Sequence, residues 1–189
     1  MPILITTSRR PSRRTRTFAK ELVRVIPNSI KINRGKMSLD DLKEYMIRRG
    51  YTRLIIINTK KGNPSQLIFY VLDYEGLKRV LIFNIRGLSL QIDKKIKRYV
   101  RYIRDVIDLT RENEDLKETF IEFLSIPSIA LNREEGEDAF IEIDKDNQGN
   151  LIIRFVTEEG NLIPPYMRGY IYEFRGSKVQ ISKQDEAKF

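Results

Sequence analysis

The chain has 189 residues, 41% of them hydrophobic, no cysteine, histidine or tryptophan, and a formal net charge of +9. This length suits one ordinary domain or two small ones with enough apolar content for a core, and no run approaches the roughly 20 apolar residues that span a bilayer. Without cysteine or histidine, disulfides, thiolate metal sites, thiol nucleophiles and the commonest general base are excluded.

The charge is concentrated. Residues 1–50 hold thirteen Lys/Arg against four Asp/Glu, which is the whole excess; the rest of the chain carries 22 of each sign. Most of it sits in Ser8-Arg9-Arg10-Pro11-Ser12-Arg13-Arg14-Thr15-Arg16. Clustered Lys/Arg neutralise phosphates and release counterions, so the run reads as a footprint for a polyanion, with a solvated basic surface as the alternative. The opening Met-Pro-Ile-Leu-Ile-Thr-Thr lacks a positive segment followed by a long apolar one, so no signal peptide is expected and a cytoplasmic protein is the simplest fit. Abundant Ile, Lys, Arg and Glu without Cys, His or Trp suggests a thermophile.

Taken in chain order, Ile3-Leu4-Ile5-Thr6 is a short β-branched strand. A helix follows from Ser12, its N-cap, to about Val25, ending before Pro27. At 100° per residue Phe18, Leu22, Val25 and Ile26 share one face, and Arg13, Arg16, Lys20 and Arg24 form a stripe on the other. Arg13, Arg14 and Arg16 crowd the positive end of the helix dipole, at about 0.3–1 kcal/mol each. Such a conflict is expected where helix N-terminus and guanidinium groups converge on one bound phosphate; arginines reaching nearby carboxylates are the alternative.

Ser29-Ile30-Lys31-Ile32 alternates as a strand, and the turn Asn33-Arg34-Gly35-Lys36 adds two cations. Ser38 caps a second helix to about Arg49, with Asp40 and Asp41 in its first turn, Leu39, Leu42 and Met46 as its buried stripe, and Gly50 as its C-cap. Leu54-Ile55-Ile56-Ile57 reads as a strand covered on both faces. A loop at 58–64 leads to strands at about 66–72 and 80–86, so the first half is β-α-β-α-β-β-β.

An internal repeat is expected next. Leu81-Ile82-Phe83-Asn84-Ile85-Arg86-Gly87 closes the first half as Tyr170-Ile171-Tyr172-Glu173-Phe174-Arg175-Gly176 closes the second. The strand-loop-strand around Gly62-Asn63 is matched by 141–144, Gly149-Asn150 and 151–157, preceded by a helix at about 113–124 with Leu116, Phe120, Phe123 and Leu124 inward and Glu112, Glu114 and Asp115 at its N-terminus. Between the copies, residues 94–109 suit either helix or strand. Their Lys94, Lys95, Lys97, Arg98, Arg101 and Arg104 make a second possible phosphate contact. Residues 111–146 are acidic, twelve groups against four. They would repel nucleic acid, leaving RNA to the first half and the linker.

The catalytic case is poor. Triads, dyads and zinc hydrolases need His or Cys, and no Gly-x-x-x-x-Gly-Lys-Ser/Thr or Gly-x-Gly-x-x-Gly sequence supports a nucleotide cofactor. A magnesium-dependent nuclease could use Asp40-Asp41-x-x-Glu44, but capping and the dipole already explain acidic groups in a first turn. Tyr51 and Tyr70 could stack on bases or serve as core positions. No cofactor, metal or catalytic residue is expected.

The stretch from Ile5-Thr6-Thr7-Ser8 through the arginines to Arg24-Val25-Ile26-Pro27-Asn28-Ser29 and Arg34-Gly35-Lys36 closely resembles archaeal members of the Brix-domain family. These ribosome-biogenesis factors are related to a eukaryotic protein of the U3 small nucleolar ribonucleoprotein. Tyr51-Thr52-Arg53-Leu54-Ile55-Ile56-Ile57-Asn58 and Lys61-Gly62-Asn63-Pro64 extend the likeness. It implies an α/β fold of two pseudo-repeated halves, each a mixed sheet with helices like the anticodon-binding domain of class IIa aminoacyl-tRNA synthetases. The halves would be 1–92 and 93–180, with a polar tail at 181–189. It also implies ribosomal RNA binding in small-subunit assembly without catalysis, with ribosomal or small-nucleolar-type ribonucleoproteins as partners and no membrane. The residues expected to contact phosphate are Arg9, Arg10, Arg13, Arg14, Arg16, Lys20, Arg24, Arg34 and Lys36. A carboxylate-dependent RNA-processing enzyme and a stand-alone tRNA-binding module are the alternatives.

Overall fold

The computed structural model describes residues 2–131 and 133–178; the expected tail at 181–189 lies outside them. Among the described residues, eleven strands form one mixed sheet with three helices. The first half runs β1 (Ile3–Thr7), α1 (Arg13–Val25), β2 (Ser29–Lys31), α2 (Leu39–Arg49), β3 (Arg53–Lys60), β4 (Asn63–Asp73) and β5 (Gly76–Ser89). A 3-10 turn at Ile92–Lys94 leads to β6 (Val100–Asp108), α3 (Glu114–Leu124), β7 (Ser128–Ile129), β8 (Glu137–Lys145), β9 (Leu151–Thr157), β10 (Leu162–Phe174) and β11 (Ser177–Lys178). No helix among the described residues is long and apolar enough to cross a membrane.

The strand order is β2-β1-β3-β4-β5-β10-β9-β8-β6-β7, with β11 on β10. The two strands expected to close the halves are therefore neighbours at the middle of the sheet, antiparallel, with Asn84 opposite Tyr170 and Leu81 opposite Phe174. Counted outward from that seam, the order is β4, β3, β1, β2 on one side and β9, β8, β6, β7 on the other. The two sides differ at their margins: β2 is parallel to β1, β7 is antiparallel to β6, and no helix lies among the described residues between β7 and β8.

Alternation in β1 explains the layering. Ile3 and Ile5 join α1, α3 and the apolar faces of both halves in one continuous core, while Leu4 faces α2 with Leu42, Met46, Leu54 and Ile56. Phe18, Leu22 and Val25 of α1 and Leu116, Phe120, Phe123 and Leu124 of α3 are buried in the first core as expected. The outer margins also approach one another. Asn28, just ahead of β2, donates to the Ile129 carbonyl at 2.7 Å and accepts from the Leu131 amide at 3.4 Å. Arg133 donates to the Val23 and Arg24 carbonyls at 2.9 and 2.6 Å, placing a cation on the negative C-terminal end of α1.

Three sequence expectations need correction. The loop at 58–64 is instead a tight hairpin: β3 and β4 run to Lys60 and from Asn63, joined by Lys61 and Gly62, both with the positive φ of a two-residue type I′ turn. Leu39, the first residue of α2, is 38% exposed, so the buried stripe is Leu42 and Met46. Gly87 lies inside β5, whereas Gly176 lies in the turn after β10, so the two Arg-Gly pairs end their strands differently.

Candidate nucleic-acid interface

β1, β2 and β3 are parallel, so their carboxyl ends share one edge of the sheet. The loop after β1 turns to α1 on one face and the loop after β2 turns to α2 on the other. Diverging connections open a crevice outside the carboxyl ends of the strands, the usual ligand position in open α/β sheets. Two serine-capped helix N-termini flank it. The Ser12 hydroxyl oxygen accepts from the Thr15 amide at 3.0 Å; Ser38 and Asp41 exchange bonds in a capping box.

The sequence-expected residues divide into groups around this crevice. Arg9 and Arg34, from the two loops, donate through Nε to one acceptor, the Met37 carbonyl, at 3.4 and 3.0 Å. Burial, and then the charge of Arg9, hold the Arg34 guanidinium below its ordinary pKa. Arg10 and Lys36 are exposed beside them. On α1, Arg13, Arg16 and Lys20 are exposed and line the outer face. Arg14 turns away: it pairs with Asp93 at 2.8 Å, and that hydrogen bond is the main reason its pKa lies above the ordinary value. Arg24 is half-buried and donates to the Gln91 side-chain oxygen at 3.4 Å.

Lys31, Lys60 and Lys61 were not among the expected contacts. Lys31 ends β2 close to α1. Burial first, then the charges of Lys20 and Arg16, push its ammonium below the ordinary value. Lys60 and Lys61 stand exposed at the end of β3 on the same edge. Their signal was present as a Lys-Lys pair following a strand, in a segment read as a plain loop.

Ion pairing differs between this edge and four arginines of the second half. Among the described residues, Arg14 is the only one of the nine expected contacts in an ion pair. Four arginines of the second half are paired instead: Arg98 with Glu137, Arg104 with Asp138 and Glu158, Arg154 with Glu142 and Asp144, and Arg168 with Asp146. Two of these, Arg98 and Arg104, belong to the basic set expected at 94–109. Unpaired cations crowded enough to lower one another's pKa are electrostatically costly, and an anion relieves that cost.

The remaining candidates are occupied by the fold. Tyr70 is buried, and Tyr51 stacks on Tyr45 with ring centroids 6.2 Å apart. Asp41 accepts the Ser38 amide, which holds its carboxyl below the ordinary value, so the Asp40-Asp41-x-x-Glu44 cluster has its central member engaged in capping. No group of three or more His, Cys, Asp or Glu among the described residues is arranged to hold a metal ion.

Comparison with known proteins adds to this geometry, although no family model matches the chain. A probable Brix domain-containing ribosomal biogenesis protein of Thermococcus kodakarensis is 45% identical over 89 residues, 47% of this chain and 43% of that protein. Its Saccharolobus solfataricus counterpart is 43% identical over 94 residues, 50% of this chain and 54% of that protein. The U3 small nucleolar ribonucleoprotein protein imp4 of Schizosaccharomyces pombe is 39% identical over 91 residues, 48% of this chain and 30% of that protein. The chain thus spans less than half the length of the Thermococcus relative. Among solved structures, a probable ribosomal biogenesis protein from Aeropyrum pernix superposes with a TM-score of 0.71 at 23% identity, covering 96% of this chain and 99% of that one. Mil, an archaeal Imp4-like protein, superposes with a TM-score of 0.62 at 23% identity, covering 93% of this chain and 99% of that one. The chain is therefore similar in sequence to archaeal Brix domain-containing ribosomal biogenesis proteins over about half its length and shares the fold of these two solved structures over nearly all of it.

Proposed function

We propose that this chain is a cytoplasmic, non-catalytic ribosome-biogenesis factor that binds pre-ribosomal RNA during small-subunit processing and assembly. The observation that carries this reading is the set of cations outside any ion pair among the described residues, Arg9, Arg10, Arg13, Arg16, Lys20, Arg34 and Lys36, carried by the loops after β1 and β2 and by the exposed face of α1. Lys31, Lys60 and Lys61 extend it. Guanidinium groups and ammonium groups at a helix N-terminus suit phosphate oxygens, while offering little base-edge readout, so RNA shape and backbone would dominate recognition. Arg24 would contact RNA from the far end of the same stripe, and Arg14 would act by fixing the helix that carries it.

The two sides of the sheet, 1–92 and 93–180, are read as diverged copies of one α/β unit, each of the kind found in class IIa synthetase anticodon-binding domains. The mirrored strand order about the β5–β10 seam supports this reading. Only the first copy kept a basic edge, which fits RNA on that side and leaves the acidic second half to ribosomal or small-nucleolar-type ribonucleoprotein partners. Ultraviolet cross-linking in cells followed by sequencing of the bound RNA should recover precursor small-subunit ribosomal RNA. Recovery of transfer RNA alone would instead support a tRNA-binding module and overturn this reading.

A further inference from the structure

Three cations from three separate segments surround one phenol ring where the two sides of the molecule meet. The Tyr99 ring, one residue ahead of β6, lies 5.2 Å from the Arg133 guanidinium, 5.5 Å from the Lys97 ammonium and 5.8 Å from the Arg24 guanidinium. None of the three cations is in an ion pair among the described residues. Two are engaged by the fold: Arg133 donates to the Val23, Arg24 and Val100 carbonyls, and Arg24 donates to the side chain of the fully buried Gln91. Lys97 is exposed. The nearby Lys97 ammonium, followed by the charges of Arg24 and Arg133, brings the Tyr99 hydroxyl below its ordinary pKa.

Like charges at this spacing repel, and the negative face of an aromatic ring offsets part of that repulsion. A ring that gathers three cations outside any ion pair acts as a template presenting them jointly to an anion. Arg24 is also the last member of the α1 stripe. Arg13 and Arg24 are eleven positions apart, about 16 Å along the helix and close to the rise of five stacked nucleotides. We propose that Tyr99, Arg24, Lys97 and Arg133 form a second phosphate-binding station, so that one RNA strand entering at the crevice follows α1 and is gripped again on the second half. This rests on the RNA-binding reading above and deepens it: the RNA crosses between the halves, and Arg133, although in the acidic segment, belongs to the RNA face.

The test measures binding of a labelled fragment of small-subunit ribosomal RNA over a salt series for Lys97→Gln, Lys97→Arg and the double variant Arg13→Gln/Arg16→Gln. Lys97 is exposed, so its substitution should leave the melting temperature unchanged. Between 50 and 200 mM salt each phosphate contact accounts for roughly a threefold loss of affinity. Lys97→Gln should therefore shrink the total loss by about threefold, and Lys97→Arg should restore it. If Lys97→Gln binds as wild type while Arg13→Gln/Arg16→Gln weakens binding, the second station is wrong and the crevice stands. If only Lys97→Gln weakens binding, the crevice reading falls and the station stands. If neither changes binding, both fall.

Discussion

The Arg14 guanidinium and the Asp93 carboxylate meet as two parallel hydrogen bonds, Nη1 to Oδ1 at 3.0 Å and Nη2 to Oδ2 at 2.8 Å. They fasten the first turn of α1 to the 3-10 turn between the two sides of the sheet. Asp93 is also held by the Leu90 amide at 3.1 Å. Of the two readings the sequence allows for the N-terminal arginines of α1, Arg14 follows the one in which an arginine reaches a nearby carboxylate, while Arg13 and Arg16 stay exposed against the dipole.

Asp93→Asn should therefore lower stability at neutral pH by about 0.2–1 kcal/mol, the range for a partly exposed ion pair. Arg14 holds the Asp93 carboxyl below its ordinary value. The contribution is then fully present above the unfolded carboxylate pKa of about 3.9 and disappears as pH falls through the lower folded value. Urea unfolding of both proteins should show a stability gap at pH 7 that closes in acid. A gap that widened in acid would contradict the pairing.

Arg13 and Arg16 remain against the dipole, so Arg13→Gln should raise stability by about 0.3–1 kcal/mol without added anion. Arg14→Gln should lower it instead. Sulfate at fixed ionic strength should raise the melting temperature of the wild-type protein, because an anion bound only to the folded state stabilises it. The rise should be smaller in Arg13→Gln/Arg16→Gln. Equal rises would place the anion elsewhere.

Gly169 sits where β10 passes β5, and a Cβ there would overlap the backbone carbonyl oxygen of Asn84. Since Asn84 is backbone at the seam of the sheet, Gly169→Ala must push the two strands apart. A loss of at least about 1–3 kcal/mol is expected, as for overpacking in a core. Denaturant unfolding checks this, and an unperturbed midpoint would mean that the β5–β10 seam has room for a methyl group.

A buried polar pair joins α1 to the connector. Glu21 accepts the Gln91 and Ile92 amides at 2.6 and 3.0 Å, and Gln91 donates through its side chain to the Arg98 and Pro164 carbonyls at 2.9 and 2.7 Å. Glu21→Gln should cost about 1.5–3 kcal/mol, because a side-chain amide cannot accept at both positions and a charged acceptor is lost. Hydrogen exchange should then show the connector amides of Gln91 and Ile92 opening first. Unchanged protection there would rule out Glu21 as their anchor.

Local chemistry made α1, α2 and the closing strands readable: Ser12 and Ser38 cap where expected, and Ile3-Leu4-Ile5 is apolar on both faces because helices cover both. Residues 94–109 resisted because bulges mimic a helix. Register shifts between Val100 and Tyr102 and between Ile103 and Val106 against β8 bury Val100, Ile103 and Val106 at a spacing of three. The 58–64 segment misled by composition, since polar residues at an exposed sheet end can still pair. Arg9, Arg13, Arg16 and Lys20 could be named from charge and periodicity. Arg14–Asp93 and Arg133 with Tyr99 could not, because 79 residues separate the first pair and an acidic stretch surrounds Arg133.

The most direct measurement is the salt dependence of ribosomal RNA binding by the variant with Arg13, Arg16 and Lys20 each replaced by Glu. Log affinity against log salt should fall with a slope of roughly −0.7 to −0.9 per phosphate engaged, and three lost contacts should flatten it by about 2 to 3. Affinity should drop by orders of magnitude while the fold is retained, because all three side chains are exposed. Wild-type affinity and slope in the folded triple variant would contradict phosphate binding on this face of α1.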